Sequence, residues 1–215
     1  SRLNQRMHNK ALIADGHAAI MGGRNLGNEY MGLNATFNFR DLDVVSVGHA
    51  ARQVSSVFDR YWNSEWVRPQ AELDAGGTVD TLKMERAGLE TRLRAATTLE
   101  RFPLDARAWM DELAALSHAL APGTSRVTTD VPEEQKVAHY LRDEVQKLWA
   151  SAEKEVLITN AYIIPDEEAF SRTARELKKD VRFVMLTNSL ASTDAAGVHA
   201  HYTDWRARML TAGVE

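Results

Sequence analysis

His8, Asn9 and Lys10 begin a series of polar residues at fixed intervals. Four residues separate Lys10 from Asp15, and six more separate Asp15 from Gly22-Gly23-Arg24-Asn25. An imidazole two residues from an ammonium suits a phosphate ester. The imidazole can attack phosphorus or donate a proton, and the ammonium can hold non-bridging oxygens as charge develops. The Asn25 amide can donate to the same oxygens, and glycine at 22 and 23 leaves room for backbone to approach a phosphate. Singly, each residue has an ordinary structural explanation, but no core element needs this set at these spacings.

Residues 10–15 and 18–22 read as two short strands around the turn Asp15-Gly16. His8 and Lys10 then share a strand face, because side chains alternate along a strand. Asp15 falls on the opposite face, so its expected role is structural, fixing the turn through Asx hydrogen bonds. A third strand is expected over 41–48, opened by Asp41 and Asp43 on one face. A strand-edge salt bridge with Arg40 is the structural reading of these two acids. Val54, Phe58, Tyr61 or Trp62 and Trp66 recur at helical spacing, predicting a helix over 50–66 whose aromatic stripe packs into a core.

From Pro69 to about residue 131 two helical patterns follow, through Leu82, Leu89, Leu93 and Ala96, and through Trp109, Leu113, Leu116 and Leu120. Gly76-Gly77, Pro103 and Pro122-Gly123 punctuate them, and the segment carries no chemistry. Beyond it, Val137, Leu141, Val145 and Leu148 mark a helix, and Glu155–Ile164 and Val181–Asn188 read as buried strands. Between these, Pro165 with Asp166, Glu167 and Glu168 opens a helix closing on Lys178-Lys179, with charges that complement the helix dipole. A last helix is expected over 193–211. This order implies parallel strands in a layered α/β sheet.

The composition is that of an ordinary globular protein, with 44% apolar and 26% charged residues. A net charge of −4 argues against a nucleic-acid partner. The absence of cysteine rules out disulfides and zinc-thiolate sites. No apolar run approaches the roughly 20 residues of a membrane-spanning helix. Residue 1 is not Met, and Ala212-Gly213-Val214-Glu215 reads as a helix cap followed by the start of a strand. The sequence therefore reads as cut at both ends.

The pattern H-x-K-x₄-D-x₆-G-G-x-N resembles the HKD signature of the phospholipase D superfamily. Phe39-Arg40-Asp41-Leu42-Asp43-Val44, Phe58-Asp59-Arg60-Tyr61-Trp62-Asn63-Ser64, Leu186-Thr187-Asn188-Ser189-Leu190, Thr193-Asp194 and Val198-His199-Ala200 are similar to bacterial cardiolipin synthases, the C-type branch in particular. The resemblance implies a layered mixed sheet flanked by helices. Residues 1–68 would be the C-terminal part of a first lobe, 69–135 a helical connecting segment, and 136–215 the N-terminal part of a second lobe. It also implies phosphatidyl transfer at a membrane surface, peripheral to the bacterial inner membrane, with no metal or organic cofactor. Phosphatidylglycerol, with phosphatidylethanolamine as another donor, would be the substrate, and a phosphohistidine the intermediate. His8, Lys10, Asn25 and Asp41 would be catalytic, with Asp15, Gly22, Gly23 and Asp43 supporting them. In the superfamily an acid on a later strand orients the histidine, fixing its tautomer and raising its basicity; Asp41, at the strand start, is the preferred orienter here and Asp43 the second. The family pattern has two H-x-K motifs, whereas none of His17, His49, His118, His139, His199 and His201 has Lys two residues later. His199-Ala200-His201 does not make a metal pair if it is helical, because positions i and i+2 diverge. Two other readings are a phosphodiesterase hydrolysing phospholipid or nucleic acid, and a non-catalytic binding or scaffold module.

Overall fold

The computed structural model describes residues 7–72, 76–97, 102, 104–130, 140–177 and 180–215. The chain is mixed α/β and divides into two compact units, Ser1–Val127 and Thr128–Glu215. Val137, Lys178, Lys179, Pro103 and the expected boundary at 135–136 lie outside the described residues.

The first unit is built on an antiparallel sheet of β1 (Ala11–Ala14), β2 (Ala18–Gly22) and β3 (Asp43–Val47), in that order. Asp15 and Gly16 both have positive φ, and the His17 N–H donates to the Ala14 carbonyl at 2.9 Å. That is a type I′ hairpin turn, whose twist suits the flanking strands. Asp15 contributes the left-handed backbone. The expected Asx bond is not made, since its carboxylate accepts no hydrogen bond among the described residues. Pairing runs from Ala11 opposite Met21 to Ala14 opposite Ala18, and from Ala18 opposite Val47 to Gly22 opposite Asp43.

Two strands are shorter than expected. Lys10 precedes β1, and Asp41 precedes β3. Helix α1 (His49–Trp62) covers the sheet face that carries Ile13, Ala19 and Met21, burying Ala51 and Val54 against Ala19. Val127 packs against the same cluster, and its N–H donates to Gln53 Oε1 at 3.2 Å. The expected aromatic core stripe is a correction. Phe58, Trp62 and Trp66 are exposed, with Phe58 and Trp62 stacked at 5.7 Å. Ala51 and Val54 make the contact with Ala19, where small side chains allow close approach, and the large rings stay outside that cluster.

Helix α2 (Val79–Ala95) begins with a reciprocal cap. Thr78 Oγ1 accepts the Thr81 N–H at 3.1 Å, and Thr81 Oγ1 accepts the Thr78 N–H at 3.4 Å. A 3-10 turn at Ala106–Trp109 leads into α3 (Met110–Ala119). Neither α2 nor α3 has a buried residue.

The second unit runs α4 (Tyr140–Ala150), β4 (Glu155–Thr159), α5 (Glu167–Leu177), β5 (Arg182–Leu186) and α6 (Ala196–Ala212). Strands β4 and β5 pair in parallel, Glu155 opposite Arg182 through Thr159 opposite Leu186. Strand β4 stops at Thr159 rather than Ile164. Asn160 Oδ1 accepts the Tyr162 N–H at 3.1 Å, a local side-chain bond that competes with ladder pairing, and Pro165 has no donor for a ladder. Phe183 is fully buried at the centre of a core with Val156, Val181, Met209 and Val214, and Trp149 meets it edge-on at 6.3 Å. Gly213 ends α6 in the left-handed conformation (φ 102°). Glu215 then exchanges backbone bonds with β5, donating to Phe183 O at 2.9 Å and accepting from Met185 N at 2.8 Å.

Arginines tie these elements together. Arg208 makes a fork to Glu167 at 2.7 and 2.9 Å, with its guanidinium 4.6 Å from the Phe170 ring and 4.4 Å from that of Trp205. Arg182 forks onto Glu215 at 3.1 and 2.7 Å and also donates to Glu155. The Arg208 hydrogen bonds hold the Glu167 carboxyl below the ordinary range, and those of Arg182 do the same for Glu215. The Ala169 N–H lowers Asp166 at the start of α5. A depressed carboxyl stabilises the fold above its unfolded pKa, about 4, and loses that contribution as pH falls through the folded value. The melting temperature of the second unit should therefore fall on acidification below about pH 4. Glu167→Gln should lower it at neutral pH and flatten the acid limb, and an unchanged acid limb would contradict the assignment.

Candidate active site

The candidate residues of the first unit lie at one end of its sheet. The start of β1, the end of β2 and the start of β3 coincide there, because all three strands are antiparallel. His8, Asn9 and Lys10 lead into β1, Gly22 closes β2, and Asp43 opens β3. Lys10 Nζ donates to the His8 carbonyl oxygen at 2.9 Å, keeping ammonium and histidine together. His8 is exposed, and its imidazole makes no hydrogen bond among the described residues.

The glycines matter for what lies over them. A Cβ on Gly22 would stand 1.8 Å from Asp43 Oδ1, and one on Gly23 would stand 2.6 Å from Asp41 Oδ2. Both carboxylates therefore occupy space that any other residue would fill. Asp43 accepts from Arg24 Nε in a close ion pair. Asp41 Oδ1 accepts its neighbour's N–H, from Leu42, at 2.8 Å. Neither carboxylate is hydrogen-bonded to the His8 imidazole. Asn25 Nδ2 donates to the Tyr30 hydroxyl at 2.9 Å, so the amide expected to face a phosphate is held by a phenol.

Arg24 and Tyr30 are the residues that sequence reasoning passed over. The Arg24 guanidinium also donates from Nη1 to Tyr30 O at 2.7 Å and from Nη2 to Asp41 O at 2.9 Å. Tyr30 packs on Phe39, with ring centroids 4.8 Å apart, and Phe37 meets Phe39 edge-on at 5.2 Å. The available signal for Arg24 was two aspartates at one strand start, for which the sequence offered Arg40 as the salt-bridge partner, whereas Asp43 pairs with Arg24. Tyr30 sits in a loop with no periodicity to reveal it.

In the second unit, the motifs around 186–199 gather beyond the C-terminal ends of β4 and β5. Thr187 Oγ1 donates to Ala161 O at 3.2 Å, and the Tyr162 hydroxyl donates to the Asp194 carboxylate. His199 stacks edge-on against Tyr202, and His201 Nε2 lies 3.4 Å from Pro165 O. Both histidines are on α6, pointing to different neighbours, and no group of three or more potential metal ligands occurs among the described residues.

Gly22→Ala should displace the Asp43 carboxylate from Arg24 and destabilise the first unit by about 1–3 kcal/mol in denaturant titrations. Gly197→Ala, at an open helical position, is the control and should be neutral or slightly stabilising. A neutral Gly22→Ala would show that the close approach is not required.

No protein-family model matches the chain, and no solved structure matches it. Curated proteins do. Cardiolipin synthase C of Escherichia coli K12 is 32% identical over an alignment of 224 residues, covering all of this chain and 46% of the relative. An uncharacterized protein of Helicobacter pylori is 27% identical over 215 residues, covering 99% of this chain and 43% of its own length. Cardiolipin synthase 1 of Staphylococcus aureus is 40% identical over 73 residues, 34% of this chain and 15% of that protein. The chain thus spans less than half the length of these relatives. The similarity to cardiolipin synthase C runs along all of this chain's residues, and that to cardiolipin synthase 1 along about a third of them.

Proposed function

We propose that this chain supplies half of the active site of a phosphatidyltransferase that makes cardiolipin. What supports the reading is that His8 and Lys10 lead into β1 at the sheet end where β2 closes on Gly22, three residues before Asn25, in a chain similar throughout its length to cardiolipin synthase C. Lys10 and Asn25 hold the non-bridging oxygens of a phosphodiester as negative charge builds in the transition state. His8 is one of two histidines sharing the proton and nucleophile roles.

In the first step one histidine nitrogen bonds to phosphorus, and the P–O bond to the departing alcohol breaks. The other histidine gives that alcohol its proton. In the second step the glycerol hydroxyl of phosphatidylglycerol passes its proton to the second histidine and displaces the first, completing the diphosphatidyl product. Phosphatidylglycerol or phosphatidylethanolamine serves as donor, releasing glycerol or ethanolamine. Asp41 is the acid that orients His8. Its availability supports this, since the Asp43 carboxylate is paired with Arg24 while that of Asp41, among the described residues, accepts from the Leu42 N–H and from no cation.

Two histidines acting in turn require a second H-x-K, which the 215 residues do not contain. The reading assigns it to the remainder of a full-length protein, and the 215-residue chain by itself is expected not to turn over phospholipid. The substrates reside in a bilayer, so the enzyme works at a membrane surface, peripherally at the bacterial inner membrane. Among the described residues no helix is long and apolar enough to cross a membrane.

The test uses the full-length open reading frame that contains this chain, with vesicles of phosphatidylglycerol alone or mixed with phosphatidylethanolamine. Cardiolipin should accumulate, and His8→Ala should reduce its formation about 1,000-fold or more. Phosphatidic acid as the product would reassign the enzyme to hydrolysis. Undiminished synthesis in His8→Ala would remove the half-site.

A further inference from the structure

We propose that Arg24 is the positioning residue of the half-site, setting Asn25 toward the phosphate and neutralising Asp43 beside it. The inference rests on the phosphatidyl-transfer reading above and adds a residue to it. Its starting point is a mechanical problem in the sequence. Asn25 must hold a fixed orientation to donate to a phosphate oxygen, yet it follows two glycines, which leave the backbone the most freedom of any residue. Past Gly22 the ladder between β2 and β3 has ended, so sheet pairing cannot supply the restraint.

Arg24 supplies it from the adjacent position. Its guanidinium reaches three places: the Asp43 carboxylate at the start of β3, the Asp41 carbonyl just before it, and the Tyr30 carbonyl inside the long β2–β3 loop. A planar fork with donors on three nitrogens can satisfy these acceptors together, whereas a lysine ammonium is a compact point charge. The Tyr30 contact closes a ring. Arg24 holds Tyr30 through its carbonyl, and the Tyr30 hydroxyl accepts from the Asn25 amide at 2.9 Å. Two consecutive side chains therefore grip one tyrosine at both ends, and the Tyr30–Phe39 ring contact anchors that tyrosine to the loop.

The same side chain has an electrostatic consequence. Asp43 stands at the sheet end where a phosphodiester would bind, directly across from Gly22. An unpaired carboxylate there would repel the substrate and the anionic transition state. Pairing it with Arg24, where both side chains are about one-quarter to one-third exposed, removes one of the two acid charges at this end of the sheet. Arg24 touches no reacting atom in this account; it acts through Asn25 and Asp43.

The test compares Arg24→Lys, Asn25→Ala, their double variant and His8→Ala in the full-length protein, measuring kcat and KM on phosphatidylglycerol vesicles together with Tm. Arg24→Lys keeps the charge and loses the fork. It should lower kcat about 10- to 100-fold, as expected for misplacement of a catalytic group, with KM changed less than about threefold and Tm nearly unchanged. Because Arg24 acts through Asn25, the double variant should be no slower than Asn25→Ala by itself, the signature of coupled residues. Wild-type kcat in Arg24→Lys with His8→Ala inactive overturns the inference and leaves the phosphatidyl-transfer reading standing. Independent, multiplying losses in the double variant overturn it, as does a loss of activity that tracks a falling Tm. Full activity in His8→Ala removes the reading and this inference with it.

Discussion

Gly22 stands opposite Asp43 with nothing between them but the carboxylate itself. That close approach is the constraint on which the rest of this sheet end depends. The absence of a side chain on β2 lets the Asp43 carboxylate fold over the backbone, where it meets Arg24 at the first turn beyond the strand. From that ion pair the guanidinium reaches back to Asp41 and across to Tyr30, and the loop of some twenty residues between β2 and β3 acquires a defined path. A larger residue at 22 would push the carboxylate away and release the loop that carries Asn25. The glycines, often taken as making room for a phosphate, here first make room for acids of the protein.

The second unit uses arginine in a similar way but for stability. Arg208 binds Glu167 with a two-point fork while lying against both Phe170 and Trp205, joining α5 to α6. Arg182 joins β4, β5 and the residue that follows α6. Isolated exposed ion pairs contribute little. These contacts differ because each guanidinium is held by several partners at once, and because they bridge elements that the small core around Phe183 does not fully enclose. The apolar core provides the driving force, and the forks select the arrangement of the elements around it.

Much of the architecture was legible in the sequence. Asp15-Gly16 between apolar runs specified the hairpin, and φ > 0 at both residues confirms the turn type such a pair favours. The alternation of strand and helix beyond residue 140 specified parallel pairing, realised in β4 and β5. Gly213 marked the end of α6 and the strand-like pairing of Glu215 beside β5. Element ends were less legible, because they depend on local side-chain bonds such as that of Asn160, which stops β4 five residues early. The aromatic stripe of α1 was misread because periodicity reports which face is apolar but not how far a neighbouring surface extends. The cluster beneath α1 is made through Ala51 and Val54, and Phe58 and Trp62 are left exposed.

By itself the sequence determined the chemistry on offer: an imidazole, an ammonium and an amide at spacings suited to a phosphate ester, on a chain with neither thiols nor a strong basic charge. Those properties follow from residue types and short-range periodicity, which survive in a linear reading. Tertiary structure decided the partners of the two aspartates. In the sequence Asp41 and Asp43 differ only in that Asp41 stands nearer the strand start. In the folded chain Asp43 is paired with Arg24, and Asp41 accepts the Leu42 N–H. That distinction rests on a register across two strands and on a guanidinium nearly twenty residues away. Such a contact is fixed by packing and pairing, and no local pattern encodes it.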